Sequence, residues 1–215
     1  MKSICLIFTV LFLTVLFSCE EDKIDYGLGE YYEEIATVLN DSAYLLDANI
    51  SVVNTNAYRR GEKSPEAGKR VLLMYSYTNM EIPPYDRAVI VHSVSELSTG
   101  ELKLVGRKDI DSLRADPLRL ESIWLGSRYL NMQFYLNFKS EVHSVGLFTD
   151  SIGLHKDTVH IYFKHDSNND PPGYPVHSFL SFNLGKVLGN PEKKKILSVK
   201  VKSDNYVDEI YEFVY

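Results

Sequence analysis

Tyr129-Leu130-Asn131-Met132-Gln133-Phe134-Tyr135-Leu136-Asn137-Phe138 alternates without a break. Leu130, Met132, Phe134, Leu136 and Phe138 fall on one side, and Tyr129, Asn131, Gln133, Tyr135 and Asn137 on the other. A strict period of two with one apolar side is the signature of a half-buried strand with a core face and a polar face. Five more strand-like stretches follow, at 141–150, 158–165, 176–183, 196–202 and 206–214, separated by short turns. Leu184 to Leu188 leaves room for one or two helical turns at most. Six strands without intervening helices predict an antiparallel β-sandwich over 123–215.

Upstream, residues 108–122 are charged, carry Asp116-Pro117 and lack alternation, so they read as a short helix or a connector between domains. Before them the strand pattern returns. Ile35-Ala36-Thr37-Val38-Leu39 meets a turn signal at Asn40-Asp41, then Tyr44-Leu45-Leu46. In the stretch 70–78, Val71, Leu73, Tyr75 and Tyr77 share one face and Leu72 and Met74 the other, as in a central strand of a barrel. Pro83-Pro84 breaks the run. Stretches 88–94 and 102–105, with a hairpin closing at Ser98-Thr99-Gly100, complete about five short strands. That pattern predicts a small OB-like barrel over 31–107, and an all-β protein overall.

The N-terminus carries an address. Lys2 precedes an apolar run from Ile4 to Phe17, and Leu16-Phe17-Ser18-Cys19 reads as a lipoprotein signal-peptidase site with Cys19 as the new first residue. The run is shorter than the ~20 apolar residues that a transmembrane helix requires. Residues 1–18 are therefore expected to be a signal peptide and 19–30 an acidic tether, with Glu20, Glu21 and Asp22 as an export tag toward the outer face. Cys5 lies inside the signal, so with Cys19 acylated the body holds no free thiol and no disulfide. Loss of Lys2 takes the net charge from −6 to −7. That balance excludes a general nucleic-acid or anionic-lipid surface, leaving acyl chains on Cys19 as the expected membrane attachment.

Several segments together resemble the NigD-like family of Bacteroidetes lipoproteins. They are the lipobox, the Tyr-rich start with Glu34-Ile35-Ala36-Thr37-Val38, Ile123-Trp124-Leu125-Gly126 with Tyr129-Leu130-Asn131-Met132, His143-Ser144-Val145-Gly146-Leu147, Tyr162-Phe163-Lys164-His165-Asp166, and Ser181-Phe182-Asn183-Leu184. The resemblance implies an N-terminal OB-like domain, a C-terminal β-sandwich domain and, through the family name, a link to bacteriocin systems. It implies no catalytic residues.

The candidate sites are few. Five of the six histidines lie in the second half, but none forms the local i, i+2 strand pair or i, i+4 helix pair usual for zinc. A metal-assisted hydrolase would have to gather His143, His165, Asp166 and His177 across strands. Asp166-Ser167-Asn168-Asn169-Asp170 opens like a calcium loop, but Pro171 replaces the turn glycine and His177 the terminal Glu, so a surface turn is the better reading. No Gly-x-Ser-x-Gly elbow is present, and carboxylate pairs such as Asp109 and Asp111 lie in polar stretches. Tyr75, Tyr77 and Tyr85 in the barrel, and Tyr174 in a proline-rich loop, are the candidate ligand contacts, since Tyr gives rigid contact area to a protein or glycan partner. The expected function is a non-catalytic binding or accessory module, without a cofactor, anchored at the outer membrane and facing outward.

Overall fold

The computed structural model describes residues 30–56, 65–189 and 193–215. The signal peptide, Cys19, Glu20, Glu21 and Asp22 lie outside the described residues. Five strands, β1 (Tyr32–Asn40), β2 (Ala43–Leu46), β3 (Ser51–Asn54), β4 (Arg70–Tyr77) and β5 (Arg87–Glu96), close a barrel in the order β1-β2-β3-β5-β4. The β1–β2 turn forms because Asn40 Oδ1 accepts the Ser42 amide at 3.0 Å, an Asx turn. Val71, Leu73 and Tyr75 on β4 point inward and are fully buried against Ala36, Val38, Tyr44, Leu46, Val52 and Val89. Closure leaves these short strands without free edges.

The remaining strands are β6 (Ser98–Val105), β7 (Arg119–Gly126), β8 (Tyr129–Phe138), β9 (Ser144–Asp150), β10 (Thr158–Asp166), β11 (Tyr174–Asn183), β12 (Ile196–Lys202) and β13 (Asp208–Val214). They form one sheet in the order β13-β12-β10-β9-β6-β11-β8-β7. Its midline is β6, which pairs with β11 through Ser98–Glu101 and then with β9 through Leu102–Val105. The sheet folds about that strand into two facing leaves. Phe134 on β8 and Phe182 on β11 meet Phe163 on β10 across the core, with ring centroids 5.8 and 6.1 Å apart. Leu130, Met132 and Phe134 are buried as their alternation requires.

Three expectations are corrected here. The strand at 102–105 does not complete the barrel, which closes within residues 32–96. Gly100, which looked like hairpin punctuation, instead admits the Phe182 ring, since a Cβ there would lie 2.6 Å from it. Leu102 is then buried in the sandwich core. Second, the stretch 108–122 is not wholly a connector. It holds α1 (Arg107–Ser112), anchored by buried Ile110, and the start of β7, whose bulge between Leu120 and Ser122 hides the alternation. Third, the sandwich is not wholly antiparallel, because β10–β12, β6–β9 and β6–β11 run parallel. The chain visits the opposite leaf, or several strands, between the members of each pair, which supplies the long crossover that parallel pairing requires.

The barrel sits on the polar side of β8 and β11. Arg70, at the start of β4, is 2 % exposed and reaches into the sandwich. Its guanidinium donates to Asp47 Oδ1 (2.6 Å), Thr37 Oγ1 (3.0 Å), Asn131 Oδ1 (3.1 Å) and Ser181 Oγ (3.1 Å). Its plane lies 4.4 Å over the Tyr129 ring. Asn131 Nδ2 closes the network by donating to Asp47 Oδ2 at 2.7 Å. The polar face expected for β8 is therefore buried at its beginning, with every polar group paired.

Candidate functional site

At the far end of the sandwich, away from Arg70, β8 and β10 run out and hand over to the segments 139–143 and 167–173. These segments, the stretch 113–118 and the turn 203–207 surround a cleft of about 590 Å³. Its inner wall is a row of side chains. Asp170 Oδ1 and Oδ2 accept the backbone amides of Lys139 (2.7 Å), Ser140 (3.0 Å) and Glu141 (3.1 Å). The same carboxylate meets His143 Nε2 at 3.2 Å. His143 Nδ1 lies 3.0 Å from His165 Nε2, and His165 Nδ1 lies 3.2 Å from the Asp116 carbonyl. The Asp116 carboxylate turns away and accepts the Ser167 amide (2.9 Å) and hydroxyl (2.6 Å).

The wall is built locally for this purpose. Asn168 and Asn169 adopt φ of 53° and 59°, a left-handed conformation that Asn tolerates, and so reverse the chain to aim Asp170 back at 139–141. Gly173 lets the returning strand pass the Phe138 carbonyl, where a Cβ would lie at 1.9 Å. Burial opposes ionisation of Asp170, yet the three amides and His143 hold its carboxyl well below the usual carboxylate range. Burial likewise pushes His165 below the ordinary histidine value, against the pull of the Asp116 carbonyl. Asp116 also stays low, its burial outweighed by the two bonds from Ser167 and by Arg114.

Of the four residues a metal-assisted hydrolase would gather, only His143 and His165 come together, and they bond to each other. The Asp166 carboxylate instead takes Arg114 (3.1 Å) and the Asn168 amide (2.8 Å). His177 stacks on Tyr135 at 4.5 Å and pairs with Glu121 at 2.8 Å on the outer face of β11. Among the described residues no group of three or more His, Cys, Asp or Glu side chains is arranged to hold a metal ion. The four residues therefore do not form one metal-binding group. The calcium-like run is a turn, with its two aspartates facing different partners.

The tyrosines divide. Tyr75 is fully buried; its hydroxyl donates to Glu34 Oε1 at 2.8 Å and lies 3.2 Å from the Tyr77 hydroxyl. Tyr32 stacks on Tyr75 at 5.6 Å and meets Tyr77 edge-on, so these rings plug the barrel. Tyr75 is thus a core residue and not a ligand contact. Tyr77 is partly open, and Tyr85 is half-buried, accepting a bond from Asn40 Nδ2 at 3.1 Å. Tyr174 is exposed beside the cleft, with its ring 6.2 Å from Phe138. Tyr135 lines the cleft under the Arg119 guanidinium, 4.1 Å from its ring. Tyr206 stands at the rim, 73 % exposed, with a φ of 66°. Sequence reading missed Asp170 and Asp116 as organisers and Tyr206 as a rim residue. Only the Asp-Pro pair at 116 and the acidic end of the calcium-like run were visible signals.

A closed five-stranded barrel docked through a buried arginine onto a two-leaved β-sandwich defines a two-domain all-β class. Residues 102–215, more than half the chain, match the NigD-like C-terminal beta sandwich domain, and the chain belongs to that family. The matched region opens inside β6, where that strand crosses to β9. Three solved structures share the fold. A protein of unknown function from Bacteroides vulgatus superposes with a TM-score of 0.73 at 18 % identity, over 86 % of this chain and 91 % of that one. A NigD-like immunity protein from Bacteroides caccae gives 0.58 at 22 % identity, over 88 % and 98 %. A proposed lipoprotein from Bacteroides fragilis gives 0.63 at 10 % identity, over 86 % and 98 %. Among curated proteins, none matches the chain.

Proposed function

We propose that this protein is a lipid-anchored envelope protein that binds a protein or glycan partner at the sandwich cleft and carries out no chemistry on it. The observation that carries this reading is Tyr206. A bulky side chain with φ near 66° occupies a backbone state that Gly or Asn takes far more easily. Here it also holds a large ring open to solvent at the rim of the 590 Å³ cleft. The hairpin turn 203–207 between β12 and β13 calls for a left-handed residue at this position, and filling it with Tyr in place of Gly or Asn sets a large ring at the cleft rim. The inner wall supports the non-catalytic half of the reading. Asp170, His143, His165 and Asp116 spend their polar atoms on one another and on backbone, and the Ser167 hydroxyl is given to Asp116. The hydroxyls of Ser167 and Ser140 go to the Asp116 and Asp170 carboxylates and not to His143 or His165, so the hydroxyl–imidazole pair common in hydrolytic sites is not formed by this group.

The Leu16-Phe17-Ser18-Cys19 lipobox supports membrane attachment, and Glu20, Glu21 and Asp22 support display on the outer face of the outer membrane. Among the described residues no helix is long and apolar enough to cross a membrane. A role beside bacteriocin systems has only the family name behind it.

Two experiments test the proposal. Cys19→Ser should move the protein from the membrane to the soluble fraction of lysed cells. A photo-crosslinking residue at position 206 or 174 should trap a discrete adduct on intact cells, while one at exposed position 160 on β10 should not. Absence of any adduct at the rim would overturn the binding reading.

A further inference from the structure

The row Asp116 carbonyl, His165, His143, Asp170 presents a counting problem. Four ring nitrogens stand in line between two groups that can only accept, a backbone carbonyl and an ionised carboxylate. The three contacts are 3.2, 3.0 and 3.2 Å long. Each needs one proton: on His165 Nδ1, between the two rings, and on His143 Nε2. Two neutral imidazoles bring only two protons between them. A third must be bound for the row to be complete, making one ring an imidazolium.

The alternative of a protonated Asp170 is disfavoured by its three backbone amide donors at 2.7 to 3.1 Å, each of which favours the carboxylate. The position of the charge also follows from the geometry. His165 is 4 % exposed and faces a neutral carbonyl, whereas His143 touches a carboxylate whose side chain is fully covered. The charge therefore belongs on His143, which donates from both nitrogens, while neutral His165 accepts at Nε2 and donates at Nδ1.

We infer that His143 and His165 form a one-proton binding site that latches the cleft wall. With one extra proton, the segments 139–143, 167–173 and 113–118 are joined in an unbroken chain. Loss of that proton leaves one of the three contacts without a hydrogen, the one between the rings or one of the two outer ones, and the chain is broken there. A second extra proton sets two N–H groups against each other and parts the rings. The latch closes only in the singly charged state. Other charged groups frame the pair without touching the ring nitrogens: the Asp116 carboxylate held by Ser167, Arg119 and Asp204 on the cleft lining, the Arg114–Asp166 pair outside it, and exposed Glu141, whose backbone amide bonds Asp170. The inference stands whether or not the cleft takes a partner.

The test is direct proton counting on the full-length protein extracted in detergent, with ¹⁵N-labelled histidine, followed by NMR across pH. Near neutral pH, His143 should show two protonated ring nitrogens, and His165 one, at Nδ1. On raising the pH, exchange of the Lys139, Ser140 and Glu141 amides should increase about tenfold beyond the intrinsic base-catalysed rise, as local opening is released. Finding two neutral rings at every pH at which the protein is folded would overturn the inference. So would finding both rings doubly protonated near neutral pH. Asp170→Asn, where it folds, should abolish the doubly protonated state of His143, and persistence of that state would count equally against the latch.

Discussion

Arg70 Nη2 lies 2.6 Å from Asp47 Oδ1, and the sandwich covers both side chains, 2 % and 13 % exposed. Both residues belong to the barrel, yet Asn131 and Ser181 of the sandwich complete their hydrogen bonding. Removing one member of such a pair strands the other charge in a desolvated place, at roughly 3–5 kcal/mol. Arg70→Ala should lower unfolding stability by that order in urea titration and make the junction between barrel and sandwich susceptible to protease. A change below about 1 kcal/mol would mean that water replaces the guanidinium freely.

Gly126 faces the same carboxylate, and a Cβ built there would lie 2.2 Å from Asp47 Cγ. Gly126→Ala should push Asp47 off Arg70 and destabilise by about 1–3 kcal/mol, as overpacking does. Combined with Asp47→Asn, the two costs should add to less than their sum in a double-mutant cycle. Strict additivity would show that the clash is relieved elsewhere.

Stability should fall on the acid side. His165 is held below its ordinary value, so the unfolded chain binds that proton more readily than the folded one, starting near pH ~6.5. The stabilisation it represents is present above that pH and is lost as pH falls through the depressed value. Asp170, Asp116 and Asp166 are also held low, and their contribution is present above about pH 3.9 and lost below it. Melting temperature should therefore decline between pH 7 and 4 and more steeply below. Asp170→Asn should flatten the steep branch. A wild-type curve level from pH 7 to 3 would contradict these assignments.

Tyr75 and Tyr206 should separate stability from contact. Tyr75→Phe removes the hydroxyl bonded to Glu34 and Tyr77 inside the barrel and should cost about 1 kcal/mol by thermal unfolding. Tyr206→Gly relieves a left-handed residue at an exposed rim and should leave stability unchanged or slightly raised. If Tyr206→Gly instead destabilised the protein as much as Tyr75→Phe, the ring would be a packing element and its place in the proposed site would be lost.

The alternation of 129–138 was enough to place β8 and its core face, and the run from Val71 to Tyr75 was enough to mark a barrel strand. What escaped sequence reading were the places where one residue answers two demands. Gly100 looks like a turn and is a gap for Phe182, because a glycine does not reveal whether it is needed for backbone freedom or for space. Asn131 looks like solvent-facing polarity and is buried under Arg70, because alternation reports only which side of a strand a residue takes. The site was less legible still. His143 and His165 are separated by a whole strand and turn, so only the antiparallel register of β9 and β10, which places Val145 opposite His165, brings them near each other. Spacing rules for metal ligands found no local histidine pair suited to an ion, and such rules have no means of showing that two rings 22 residues apart converge on each other.

The position of β6 sets an order of assembly. All five barrel strands have emerged once Glu96 is made, and the barrel can close while the rest of the chain is still arriving. The next strand begins two residues later and is central to the second sheet, but its neighbours β9 and β11 end only at Asp150 and Asn183. Until then β6 waits with both edges open. A fragment cut to begin after Val105 would lose the midline that joins the two leaves, leaving β9 and β11 as bare edges prone to intermolecular pairing. The cut between barrel and sandwich therefore has one place in the chain: the shortest piece that can hold the sandwich must start at Ser98.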